Sequence, residues 1–186
     1  MSEETAPGAM IDPPTQAPPT AMAGASLPAL VMVSTPIGNL QDLSDRARST
    51  LSGVNAILCE DTRISAVLLR AHGISAKCVA LHEHNESAAI PRLVAAMQQG
   101  ERYALISDAG TPLVSDPGYR LVRAVIEAGL PVSGVPGANA AVLALTLSGL
   151  PPQPFLFTGF LPPKPGPRRS VFAGLRGEGE GQHRRI

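Results

Sequence analysis

Residues 101–140 read ERYALISDAGTPLVSDPGYRLVRAVIEAGLPVSGVPGANA, and their order decides the fold. Tyr103 to Ser107 is a short apolar run of strand type, and it passes into a loop of small residues with two prolines and two aspartates. Asp116 is predicted to cap the next helix with Pro117 at its first position, since a capping carboxylate accepts from a free backbone N–H and proline needs no partner there. Leu121, Val122, Val125 and Ile126 recur at helical spacing as its inner side, and Gly129 closes it. Val132 to Val135 is the next strand, and Pro136-Gly137 turns it into an Ala-rich helix over about 138–147. A strand, a helix and a second strand in close succession form the unit that builds parallel sheets, because parallel neighbours need a long crossover.

The same alternation extends upstream. Strands are predicted at Leu30–Ser34, Val54–Glu60 and Lys77–Leu81, with helices over 44–52, Thr62–Ala71 and 87–99 between and after them. In the last helix Ile90, Leu93, Val94 and Met97 share one face, and Gly100 ends it. The fold class is therefore α/β, a mostly parallel sheet flanked by helices. Such a sheet places its ligand site in the loops that follow the carboxyl ends of its strands.

Outside this region the composition changes. Of 19 prolines in 186 residues, six lie in 1–28 and seven in 151–167, so the bulk composition averages unlike segments. Residues 1–27 carry three acidic residues, no Lys or Arg and no continuous apolar segment. They are expected to be a disordered Pro/Ala-rich tail, not a secretory signal. The α/β domain is expected over 28–149. After it, Pro151, Pro152 and Pro154 form a stiff linker, Phe155–Phe160 is predicted as a strand, and 164–186 is Pro-, Gly- and Arg-rich without periodicity. Residues 150–186 thus read as a linker and the incomplete start of a second α/β domain. The net charge of zero hides a basic end, six basic against two acidic residues in 164–186. No apolar run reaches the ~18 residues of a membrane helix, so no membrane association is expected. Cys59 and Cys78 lie in strand-like apolar runs, the pattern of free buried thiols in a cytoplasmic protein.

Five strand-end segments carry the polar residues. Ser34-Thr35-Pro36-Ile37-Gly38-Asn39-Leu40 is either a plain strand-to-helix turn or a close approach to a ligand. Glu60-Asp61-Thr62-Arg63 offers two carboxylates and a cation, either as a helix cap with solvated charges or as a site for a polar ligand and a proton acceptor. Glu60 is expected to be partly covered by the sheet. His82-Glu83-His84-Asn85-Glu86 has an H-x-H spacing but no third or fourth ligand in pattern, so no metal is expected; Asn85 or Ser87 capping the next helix explains part of it. Asp108 to Pro112 exposes backbone groups suited to a nucleoside-like ligand and lacks the G-K-[ST] of a triphosphate loop. Pro136-Gly137-Ala138-Asn139 repeats the Pro-Gly turn.

At these segments, over roughly residues 30–170, the sequence resembles the ribosomal RNA small subunit methyltransferase I family. Its members are (cytidine-2′-O)-methyltransferases of the tetrapyrrole-methylase-like, or class III, S-adenosylmethionine-dependent superfamily. The resemblance rests on Thr35 to Leu40, Glu60 to Arg63, His82 to Glu86, Ser107 to Pro112 with Ser115 to Gly118, and Phe155 to Pro162. It implies a two-domain, usually homodimeric enzyme that methylates a cytidine ribose of 16S ribosomal RNA in the small subunit, with S-adenosylmethionine as methyl donor. It further implies that Pro36, Asp108, Ala109, Gly110, Thr111, Pro112, Ser115, Pro136 and Gly137 line the cofactor site, and that Arg63, His82 and Asn85 face RNA. A ribose hydroxyl is a weak nucleophile, and Glu60, Asp61, His82, His84 and Glu86 are the candidate general bases. The chain departs from the family at Ala138-Asn139, where Pro-Ser is usual, and stops about a hundred residues short of the family's length. Two other readings are a small-molecule methyltransferase of the tetrapyrrole branch, and an inactive truncated remnant that binds cofactor or RNA only.

Overall fold

The computed structural model describes residues 27–182. The tail expected over 1–27 lies outside the described residues except for Leu27. Five strands form one fully parallel sheet: β1 (Leu30–Val33), β2 (Ala56–Cys59), β3 (Cys78–Ala80), β4 (Tyr103–Leu105) and β5 (Val132–Val135). Their spatial order is β3-β2-β4-β1-β5. Helices α1 (Asp45–Ser52), α2 (Thr62–Ala71), α3 (Glu86–Gln98) and α4 (Tyr119–Glu127) make the crossovers, and α5 (Ala140–Leu147) follows β5.

Alternation along the strands sorts the core into two layers. Val31, Val33, Ile57, Cys59, Ala104 and Ile106 point to one face, against Ala47 and Leu51 of α1 and Leu68 and Leu69 of α2. Leu30, Ala56, Leu58, Tyr103 and Leu105 point to the other, against Leu93 and Met97 of α3 and Leu121 and Val125 of α4. Crossovers toward β3 use the first layer and crossovers toward β5 the second, as one handedness requires when the chain reverses direction across a sheet. Both cysteines are free, and burial pushes the Cys59 thiol up to about 11.

Four expectations change. Asp116 and Pro117 do not start α4; the helix begins at Tyr119 behind Gly118, whose φ is +117°. The free N–H that a local cap would take is instead bonded by Glu86, whose buried carboxylate accepts from Leu121 N at 2.9 Å. Ile126, read as an inner residue, is 59% exposed at the rim of α4. Phe155–Phe160 is not a strand: it finds no strand partner among the described residues and is irregular chain. Residues 165–182, read as aperiodic, form α6 (Pro165–Gln182). Its prolines 165 and 167 stand in the first turn, where their missing N–H groups cost nothing.

Gly118 sits at the junction that feeds the functional face. A Cβ there would lie 2.5 Å from Cδ2 of the buried Leu105, on a backbone that L-residues rarely adopt. Gly118→Ala is expected to cost about 2–4 kcal/mol from strain and overpacking, measured as a lowered urea midpoint with unchanged slope.

Candidate functional site

The sheet order fixes where a site can be. The chain leaving β1 crosses to one side and the chain leaving β4 to the other, although β1 and β4 are hydrogen-bonded neighbours. Their carboxyl ends therefore open a crevice at a topological switch point. Its floor is stitched by backbone: Thr35 N donates to Gly110 O at 2.9 Å and Gly110 N to Thr35 O at 3.1 Å. The buried Thr35 hydroxyl donates to the Ser107 carbonyl (3.1 Å), and the Ser107 hydroxyl to the Gly110 carbonyl (3.1 Å).

The loop after β5 joins the same frame. Ser34 Oγ donates to Thr111 Oγ1 (3.3 Å), which donates to the Ala138 carbonyl (3.0 Å). Gly137 is required by this approach, since a Cβ on it would stand 2.8 Å from Cβ of Ser34. Asn139 caps α5 by accepting from Val142 N (3.1 Å). The loop after β2 is tied in by Asp61 N, which donates to Asp108 Oδ1 (3.3 Å).

Above this frame lies a cleft of about 190 Å³. Ala109, Gly110, Thr111 and Ser115 line it, four of the residues expected to bind cofactor. Ile37, Val114, Asp116, Asn139, Ala140, Ala141, Phe157 and Phe160 complete it, and sequence reasoning missed all of them as ligand contacts. Asp116 had a local explanation as a helix cap, and the two phenylalanines were read as strand residues; the signal that could have found them was their place in the segments Thr35–Leu40, Ser115–Gly118 and Phe155–Pro162, which carry the family resemblance. Ser115 in the cleft wall and the neighbouring Leu113 both adopt φ of +70°, a strained backbone beside the cleft. The other expected cofactor residues divide. Pro36 and Asp108 line a neighbouring cavity, Pro112 is buried, Gly137 lines an adjoining groove, and Pro136 is exposed at its turn.

One carboxylate, Asp116, lines the cleft. Burial holds the Asp116 carboxyl above its ordinary range, and the nearby Glu60 and Asp108 carboxylates add to this. Among the described residues no salt bridge reaches Asp116. A small cation would relieve this charge, and the small side chains with two aromatic rings give it a narrow apolar seat. A sulfonium carrying an α-amino group fits a carboxylate acceptor beside apolar walls.

The candidate bases are not equivalent. Asp61 caps α2, accepting from Arg63 N (2.8 Å) and forming an ion pair with the Arg63 guanidinium (2.6 Å), which draws its carboxyl down to about 2. Both groups are thereby committed to each other. Glu86 is buried in its bond to α4 and unavailable for chemistry. Glu60, expected to be partly covered, is exposed because it follows the last paired residue of β2. His84 is exposed, its ring edge-on to His82 with centroids 6.0 Å apart. Asn85 does not cap α3; its side chain accepts from His82 N (2.8 Å) and donates to the Ala80 carbonyl (3.0 Å), bracing the loop.

Comparison with known proteins agrees with this architecture. The family model of the tetrapyrrole (corrin/porphyrin) methylases matches residues 29–180. The chain belongs to that family. Members similar to it include the ribosomal RNA small subunit methyltransferase I of Mesorhizobium japonicum, 54% identical over 80% of this chain and 51% of the relative. The Escherichia coli O157:H7 protein of the same name is 48% identical over 80% and 52%. The chain thus spans about half the length of these curated relatives. Among solved structures, uroporphyrin-III-C-methyltransferase from Thermus thermophilus is similar with a TM-score of 0.50 and 28% identity, covering 66% of this chain and 53% of that one.

Two outcomes follow from the carboxylates. Glu86→Ala is expected to cost about 1–3 kcal/mol in chemical denaturation by leaving Leu121 N–H buried and unpaired. Asp116 holds its proton more tightly folded than unfolded, so its ionisation opposes folding as pH rises through the raised value. Asp116→Asn is therefore expected to raise the melting temperature at pH 7 and to leave it unchanged below about pH 3, where both states are protonated.

Proposed function

We propose that this chain carries the methyl-donor half of an enzyme that transfers a methyl group from S-adenosylmethionine to the ribose 2′-hydroxyl of a cytidine in small-subunit ribosomal RNA. The observation that carries the reading is the identity of about half its matched residues, 54% and 48%, with proteins named ribosomal RNA small subunit methyltransferase I. The uroporphyrin enzyme stands further off at 28%, so a small-molecule substrate is less well supported.

S-adenosylmethionine supplies an electrophilic methyl on a sulfonium, so the protein's task is alignment of the attacking hydroxyl and removal of its proton. Ala109, Gly110, Thr111 and Ser115 would hold the donor, with Asp116 facing its positive charge. Thr35, Ser107 and Gly110 keep that seat rigid through their mutual hydrogen bonds. Glu60 is our assignment for the general base, being exposed, near enough to act on Asp116 and not engaged in a salt bridge among the described residues. His84 stands second, on the neighbouring loop. His82, His84 and the solvent side of Arg63 would meet RNA, while Asn85 positions the loop that carries the histidines. We place the protein in the cytoplasm with the ribosomal subunits, as a homodimer; no helix among the described residues is long and apolar enough to cross a membrane.

Calorimetry with S-adenosylmethionine is expected to show binding, and tritiated donor is expected to label 30S subunits at one cytidine, read as a gap in an alkaline hydrolysis ladder. Binding without transfer to RNA overturns the reading in favour of a cofactor-binding remnant. Glu60→Gln is expected to lower transfer by about 10²- to 10⁴-fold while donor binding stays within error.

A further inference from the structure

Beside the donor cleft lies a second cavity of about 290 Å³, lined by the next residues of the same two loops and by α2. The loop after β1 gives Ile37 to the cleft but Pro36 and Leu40 to this cavity; the loop after β4 gives Ala109 to the cleft but Asp108 to the cavity. α2 supplies Ile64 and Val67, which are about half exposed although aliphatic, as is Leu40. Sites for drug-sized ligands begin at roughly 300 Å³, so this one suits a single ring.

One charged group interrupts the apolar wall. Asp108 Oδ1 accepts from Asp61 N, and among the described residues no donor reaches Oδ2. The cavity therefore offers a flat aliphatic surface and one strong acceptor that lacks a donor. That combination selects a planar ring bearing an amino group. Cytosine presents an N4 amino donor where uracil presents an O4 acceptor, and a carboxylate accepts from the first and repels the second.

We propose that this cavity receives the target cytosine base, with Ile64, Val67 and Leu40 packing on its ring and Asp108 reading its amino group. The inference rests on the ribosomal RNA reading above and names how that substrate is recognised. It reassigns Asp108 from the methyl donor to the substrate base, and it places the base next to the donor because adjacent residues of one loop line both spaces.

The test is titration of this chain with cytidine 5′-monophosphate and uridine 5′-monophosphate, followed by NMR, with no methyl transfer required. Cytidine monophosphate is expected to bind about tenfold tighter than uridine monophosphate, the discrimination typical of one paired base edge. Asp108→Asn keeps an oxygen for Asp61 N but presents an amide of either polarity, so the preference is expected to fall to about twofold or less. Val67→Trp, on an exposed helix position, is expected to abolish binding of both nucleotides while leaving S-adenosylmethionine affinity unchanged. Equal binding of the two nucleotides, an unchanged preference in Asp108→Asn, or competition between cytidine monophosphate and S-adenosylmethionine overturns the proposal. Failure of the chain to bind S-adenosylmethionine instead overturns the proposed methyl-transfer function, and the nucleotide preference still reads the cavity by itself.

Discussion

Two backbone hydrogen bonds between Thr35 and Gly110 hold together what the sheet order drives apart. β1 and β4 are neighbours, yet their chains depart in opposite directions, so the crevice between them would be bounded by two independent loops. The reciprocal bond makes those loops one object, and the hydroxyls of Thr35 and Ser107 fasten it to the end of β4. The Ser34, Thr111 and Ala138 relay then carries the same constraint to the loop after β5. Rigidity at this point matters because in-line transfer loses rate steeply with small misplacements of the reacting groups.

Charge divides the face in a way that composition hides. Asp116 lines the donor cleft with the Glu60 and Asp108 carboxylates near it, and the Arg63 guanidinium on the loop after β2 is already paired with Asp61. Such a cleft favours a cationic small molecule and is a poor surface for a phosphate backbone. A nucleic-acid substrate would have to present a base and a ribose here while its phosphates stay outside the carboxylate cluster.

Much of the fold was legible because its signals are local. All five strands lie within the apolar runs read from the sequence, and Asp61 caps α2, as one of the two readings of its segment had it. The failures share a cause, which is that the deciding partner is distant in sequence. Asp116 looked like a cap because the rule sees only neighbours, whereas Glu86 reaches α4 from 35 residues away. Phe155–Phe160 has strand composition, but composition does not say whether a partner strand is present. In the site, the loops were identifiable from Pro, Gly and Asp clustered at strand ends. Which side chains share a cavity was not, since Pro36 and Ile37, or Asp108 and Ala109, differ only in the direction their backbone gives them.

The helix after the last strand has its own consequence. α5 contains no buried residue, although its sequence is almost wholly aliphatic; its Leu147 is 77% exposed, and the segment that follows leaves Phe160 89% exposed. Contiguous apolar surface of this kind is adhesive in water. In purification the chain will be retained by phenyl resins, brighten anilinonaphthalene dyes while still native, and lose solubility as sulfate salts strengthen apolar association. Its colloidal behaviour is therefore governed by exposed apolar surface, while its thermodynamic stability is set by the two layers packed against the sheet.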